Sequence, residues 1–167
     1  VRFTVKEPPR TAVADRQSVG EVVGYLLRIP AFVHASLGMA LTAFGGYAFS
    51  SWAKAFLQRA HHLSSSDAGE LGYAIGIGGA IGSILAGVLA DKLGRRDPRW
   101  WMWVPAIATI GPLPFTLTFL FHGDADAALM WSVPGFVLGA FYQGPTFATV
   151  QTLAAPQMRS LASGVLL

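Results

Sequence analysis

The sequence has no cysteine, which excludes both a disulfide framework and a thiolate metal site. It is also poor in charge: Asp, Glu, Lys and Arg make up 13% of its 167 residues, against roughly 25% in an ordinary soluble domain. Four stretches carry no charge at all, namely residues 29–53, 71–90, 100–123 and 127–158. About 20 apolar residues suffice to cross the hydrocarbon core of a bilayer, so each stretch is long enough to span one. None shows the polar face at helical spacing that a helix of a soluble bundle needs. Together these absences exclude a soluble domain. They predict an all-α polytopic membrane helix bundle with four complete transmembrane helices and the start of a fifth.

Other absences narrow the chemistry. There is no nucleophile elbow, no phosphate loop and no pair of membrane carboxylates, which argues against an enzyme, and nothing calls for a cofactor. His61-His62 lacks ligand spacing and a third ligand, so no metal site is expected. Residues 1–28 contain no apolar core of the signal-peptide kind. The chain starts at Val1 and stops at Leu167 inside a new apolar run, which reads as a fragment of a longer protein.

Residues 1–17 are polar and interrupted by Pro8-Pro9, as in an extended linker. Ser18 and Glu21 have capping-box spacing and open a short helix with Val19, Val22, Val23, Leu26 and Leu27 on one side, expected to lie along the membrane surface. Residues 1–28 thus form one unit and residues 29–167 the transmembrane part. The first span, about 31–53, begins after Pro30 and is rich in small and polar residues, among them His34, Tyr47 and, at its end, Trp52. Asp67 with Glu70 offers a cap for the second span, about 68–90. Its glycine pairs Gly72/Gly76 and Gly78/Gly82 fit the small-xxx-small pattern that lets helix backbones approach closely. The third span, about 100–121, is Trp-, Leu- and Phe-rich and is expected to face mostly lipid, bent by Pro105, Pro112 and Pro114. The fourth, about 128–153, carries Tyr142-Gln143-Gly144-Pro145 at its middle and Gln151 further on.

The cations set a topology. Ten lie in the linker, in the 91–99 loop or at Arg159, and only Lys54 and Arg59 lie on the other side. The positive-inside rule places the linker and the 91–99 loop in the cytoplasm. The net charge of +3 is accounted for by that bias, and no nucleic-acid partner is implied. All five tryptophans fall near predicted interfaces.

At the end of the second span stands Gly-x-x-x-Asp-Lys-x-Gly-Arg-Arg, with its fixed positions at Gly87, Asp91, Lys92, Gly94, Arg95 and Arg96. Topology alone needs only the cations. The full pattern resembles the signature loop of the major facilitator superfamily of transporters, and the likeness extends over essentially the whole chain. Val5-Lys6-Glu7-Pro8-Pro9-Arg10 also looks like the linker of bacterial members near the spinster-like branch. The resemblance implies half of a twelve-helix fold, with the four spans equivalent to the seventh to tenth helices and the eleventh begun. It implies a secondary transporter of a small organic or amphipathic solute, ion- or proton-coupled, working by alternating access in a bacterial inner membrane. Its partners would be the lipid bilayer, that solute and a missing N-terminal six-helix half. No Asp or Glu lies within a span, so proton coupling would rest largely on that missing half.

For each candidate residue a plainer role stands beside the sharper one. Asp91 sits just past the end of the second span, able to pair with Arg95 or with another helix's free amides; the resemblance makes its loop a conformational latch, and the alternative is a solvated topology anchor. Tyr142 and Gln143, beside a proline that frees backbone groups, are either substrate contacts or part of a structural kink. His34 is a proton or substrate site, or a group reaching the interface. Tyr47, Gln151 and Trp52 complete the candidate cavity set. A non-transporting interaction module, packing on a partner through its glycine-rich helix, is the alternative function.

Overall fold

A computed structural model describes residues 18–166. The linker at residues 1–17, with its Glu7-Pro8-Pro9-Arg10 stretch, lies outside the described residues. Every element among those described is helical. Four helical stretches, Pro30–Ala60, Asp67–Gly94, Trp100–Phe121 and Ala125–Leu153, are long and apolar enough to cross a membrane.

Helix α1 (Val19–Leu27) starts with the expected capping box. The Ser18 hydroxyl accepts from the Glu21 amide at 3.3 Å, and the Glu21 carboxylate accepts from the Ser18 amide at 3.0 Å. Its buried side chains, Val22 and Leu26, are packed on protein: they join Phe32 and Ala35 of α2, Val150 and Ala154, and Ala162 in one apolar cluster. Val19 and Leu27 stay exposed.

Helix α2 (Pro30–Ala60) runs 31 residues, seven beyond the apolar stretch, because Lys54 and Arg59 sit on its final turns without breaking it. At 1.5 Å per residue it is about 46 Å long, well over the ~30 Å of a hydrocarbon core. The following turn does not use the Asp67 and Glu70 cap. Ser64 Oγ accepts from the Asp67 amide instead, at 3.2 Å, and a single 3-10 turn leads into α3 (Glu70–Gly94).

Prolines divide the last two spans. The third comprises α4 (Trp100–Ile110) and α5 (Leu113–Phe121), broken at Gly111-Pro112, while Pro105 is accommodated within α4 and Pro114 falls in the first turn of α5. The fourth comprises α6 (Ala125–Gly139) and α7 (Gln143–Leu153), joined by a 3-10 turn at Ala140–Tyr142. That tightening lies where the Pro145 ring would press on the carbonyl four residues earlier, at Phe141. A third 3-10 turn, Pro156–Met158, opens the short α8 (Arg159–Leu166).

The bundle is built around α6, which packs on α3 to one side and α5 to the other. The α3–α6 contact is set by glycine. A Cβ at Gly82 would lie 2.9 Å from the Val137 carbonyl carbon and the Ala140 Cβ, and one at Gly78 would lie 3.1 Å from the Phe136 Cβ. Gly78 and Gly82 are therefore the close-approach pair within this chain. Gly72 and Gly76 are exposed, with nothing within 4 Å of where a Cβ would be. Helix α2 is held at both ends, by the cluster around Phe32 and by a second one that combines Ala53 and Leu57 with Leu71, Phe119 and Ala128. Between them a cleft separates the middle of α2 from α4, α5 and α6, bridged by the Thr42–Thr109 contact and by the Phe49 ring against Phe119 and Phe136.

Candidate functional site

The first site is the turn between α3 and α4. Helix α3 continues through Asp91 and Lys92 to Gly94, so the aspartate belongs to the last turn of the helix and not to the loop after it. Leu93 offers its carbonyl to the Arg96 and Asp97 amides at 2.9 and 3.1 Å, which closes the end of the helix. Asp97 then closes the reversal. Its carboxylate accepts from the Arg99 amide at 2.9 Å and its carbonyl from the Trp100 amide at 3.1 Å. Asp97 was absent from the candidates, although Asp followed by Pro at a helix start is a recognisable turn signal.

The candidate positions of this turn divide into two groups. Gly94 is covered from within the chain: a Cβ there would come within 2.8 Å of Trp101 Cδ1 and closer still to Nε1. Gly87 has nothing within 4 Å of a built Cβ. The Asp91 carboxylate is exposed and has no ion-pair partner within 4.0 Å among the described residues, Arg95 included. Four residues apart, Gly87 and Asp91 share a helix face. Lys92, Arg95 and Arg96 are exposed as well.

The second site is a cleft of about 550 Å³ between the middle of α2 and the wall formed by α4, α5 and α6. Thr42, Tyr47, Ser50, Thr109, Thr116, Ser132 and Tyr142 contribute its polar lining. A smaller cavity of about 170 Å³ continues it toward His34 and shares Thr42, Thr109 and Tyr142 with it. The two form one groove, crossed near its centre by the Thr42 and Thr109 hydroxyls at 3.5 Å. The side chains lining it include no Asp, Glu, Lys or Arg.

Most of these hydroxyls are already bonded along their own helices. Thr42 donates to the Gly38 carbonyl at 2.8 Å, Thr109 to Pro105 at 3.2 Å, Ser132 to Leu129 at 2.7 Å and Thr146 to Tyr142 at 2.5 Å. A hydroxyl bonded this way spends its proton but keeps lone pairs, so the groove presents acceptors to a solute. His34 Nδ1 lies 2.7 Å from the Pro30 carbonyl. A carbonyl can only accept, so Nδ1 carries the proton of this contact, and Nε2 is the ring's remaining polar atom.

The groove brings together His34, Tyr47 and Tyr142 from the candidate set. It does not include Gln143, Gln151 or Trp52. Gln143 is exposed outside the groove. Gln151 donates to the Ser163 hydroxyl at 3.1 Å and ties α7 to α8. Trp52 is 68% exposed near the end of α2. Thr109 and Thr116, by contrast, belong to the span expected to face lipid. Their seven-residue spacing, two helical turns on one face, is the signal that marks a polar stripe on it. Among the described residues no cluster of three His, Asp or Glu side chains comes together that could hold a metal.

The sequence model of the Major Facilitator Superfamily matches residues 1–167. An MFS-type efflux pump of Mycolicibacterium smegmatis is 32% identical over 161 residues, covering 96% of this chain and 37% of the pump. Protein spinster homolog 1 of Bos taurus is 27% identical, covering 81% of the chain and 32% of that protein. The Glucose-6-phosphate exchanger SLC37A2 of Mus musculus is 24% identical, covering 83% of the chain and 26% of the exchanger. The chain thus spans little more than a third of the pump's length and less of the other two. No solved structure matches it.

Proposed function

The chain belongs to the Major Facilitator Superfamily, and from that premise we propose that it forms part of the C-terminal half of a secondary active transporter. The transporter moves a small organic or amphipathic solute by alternating access, with ion or proton coupling. The observation that carries this reading is the continuous groove along α2, from His34 to Ser50, lined by hydroxyls and apolar surface inside membrane-spanning helices. Neutral acceptors and apolar walls suit a solute with an apolar body and a few polar groups. The groove is one wall of a cavity whose other wall belongs to the N-terminal half.

In this reading the α3–α4 turn faces the cytoplasm, which the ten-to-two cation bias supports, and the membrane is a bacterial inner membrane. Gly87 and Asp91 form half of a latch. Open space at Gly87 and a carboxylate at Asp91 that has no ion-pair partner among the described residues are what a helix from the other half would engage, its N-terminal amides meeting the carboxylate while the cytoplasmic side is closed. The free face at Gly72 and Gly76 favours a second reading, a non-transporting module that packs on a partner helix.

Solute flux separates the two. In cells expressing the complete protein, efflux of a fluorescent dye panel including ethidium is measured for the parent and for Tyr142→Phe. Loss of one hydroxyl contact of about 0.5–1.5 kcal/mol raises the apparent KM roughly two- to tenfold. An interaction module moves no solute in either form.

A further inference from the structure

We propose that Trp101 is the positioning residue of the Asp91–Arg96 turn, and that position 94 holds glycine because the indole lies on it. The proposal rests on the latch reading of Asp91 and adds what holds the latch in place. Glycine at a helix end usually serves a left-handed backbone, but among the described residues no glycine has positive φ, and Gly94 is the last helical residue of α3. Its conformation therefore suits any residue, and intrinsic propensity favours alanine there. Only space demands glycine. A Cβ at Gly94 would lie 2.8 Å from Trp101 Cδ1 and 3.0 Å from Cε2, both well inside contact distance.

The indole is fixed from the other side. Half-buried Trp101 packs on the cluster formed by Ala86 and Ala90 of α3, Val104 and Ala108 of α4, and Phe141. The ring is thus wedged between the last turn of α3 and the body of the bundle and cannot swing away freely. Its own helix start is pinned by Asp97 through the Arg99 and Trp100 amides. Asp91 lies one helical turn before Gly94, and Arg95 and Arg96 follow it directly. The angle at which all three are presented is set by how closely the turn seats against the indole. An added methyl tilts that turn away; a smaller residue at 101 makes room for it.

The prediction is suppression between the two positions. In the complete transporter with a single cysteine at Gly38→Cys, in the groove, a membrane-impermeant maleimide is applied from the cytoplasmic face of inside-out vesicles. Gly94→Ala accelerates labelling about fivefold or more, the lower end of ordinary conformational coupling. Gly94→Ala with Trp101→Ala returns the rate to within about twofold of the parent, and the thermal midpoint in detergent recovers in parallel. Trp101→Phe, a shorter ring, gives a graded partial suppression if the alanine pair folds poorly. A double variant that labels as fast and melts as low as Gly94→Ala overturns the proposal. Recovery of the midpoint with equal labelling in every variant, Asp91→Asn included, overturns the positioning role through the latch it serves, while leaving the glycine–indole contact in place.

Discussion

Replacing Gly82 by alanine tests the packing that positions the groove wall. The added Cβ would lie 2.9 Å from the Val137 carbonyl carbon and from the Ala140 Cβ, and nearer still to the Val137 carbonyl oxygen. Carbon pairs rest at about 3.5–4.0 Å, so α3 and α6 must separate by roughly 1 Å, and each neighbouring contact across the seam forfeits about a quarter to a half of its attraction. The obstruction is backbone, which cannot rotate aside. Overpacking costs about 1–3 kcal/mol, toward the upper end at about 2–3 kcal/mol against rigid backbone, and alanine returns about 1 kcal/mol in helix propensity. The net is a destabilisation of about 1–2 kcal/mol at Gly82. At Gly78 the nearest atom is the Phe136 Cβ at 3.1 Å, which needs a shift of only a few tenths of an ångström, so cost and propensity nearly cancel. Thermal unfolding of the purified protein in detergent micelles reads the difference. At about 2–4 °C per kcal/mol for a chain of this size, Gly82→Ala lowers the midpoint by about 2–8 °C while Gly78→Ala changes it little. Equal midpoints for the two, or the reverse order, would refute the reasoning.

Further perturbations separate structural polar groups from groove groups. Ser18→Ala removes one half of the capping box and destabilises α1 by about 1 kcal/mol, read as roughly fivefold faster amide exchange in α1. Gln151→Ala breaks the bond to Ser163 and costs about 0.5–1.5 kcal/mol of stability, with the solute KM unchanged because Gln151 is outside the groove. Gly76→Ala meets nothing among the described residues, so a fall in the midpoint of the complete protein reports packing by a segment outside them.

Much of the fold could be read from local physics. The four uncharged runs coincide with the four membrane-length helical stretches, since exclusion of charge from hydrocarbon is a property of the sequence itself. The Ser18–Glu21 box and the breaks at Pro112 and before Pro145 follow from bonding and sterics within one turn. Helix ends were less legible, because Lys54, Arg59, Asp91 and Lys92 can stay helical at the span ends while their charged groups reach polar surroundings. The site was legible only in part. Spacing offered two glycine pairs of equal quality, and only the position of α6 makes Gly78/Gly82 the pair used here. His34, Tyr47 and Tyr142 share a groove because α2 is tethered at its ends and a cleft opens beside its middle, a tertiary property that no single span encodes. The same holds for Trp101, whose sequence signal was an interfacial aromatic and whose observed contact is Gly94.

The central claim is that the groove along α2 opens alternately to the two sides of the membrane under control of the turn at Asp91. This chain contributes no cysteine of its own, so in a complete transporter cleared of any other cysteine the claim is directly measurable. Single cysteines at Gly38→Cys and Gly46→Cys, toward opposite ends of the groove, are labelled in the complete transporter by an impermeant maleimide applied from the cytoplasmic and outer sides respectively. The account predicts reciprocal change on Asp91→Asn: labelling at position 38 rises and labelling at position 46 falls. Rates that stay unchanged at both positions, or rise together, would contradict it.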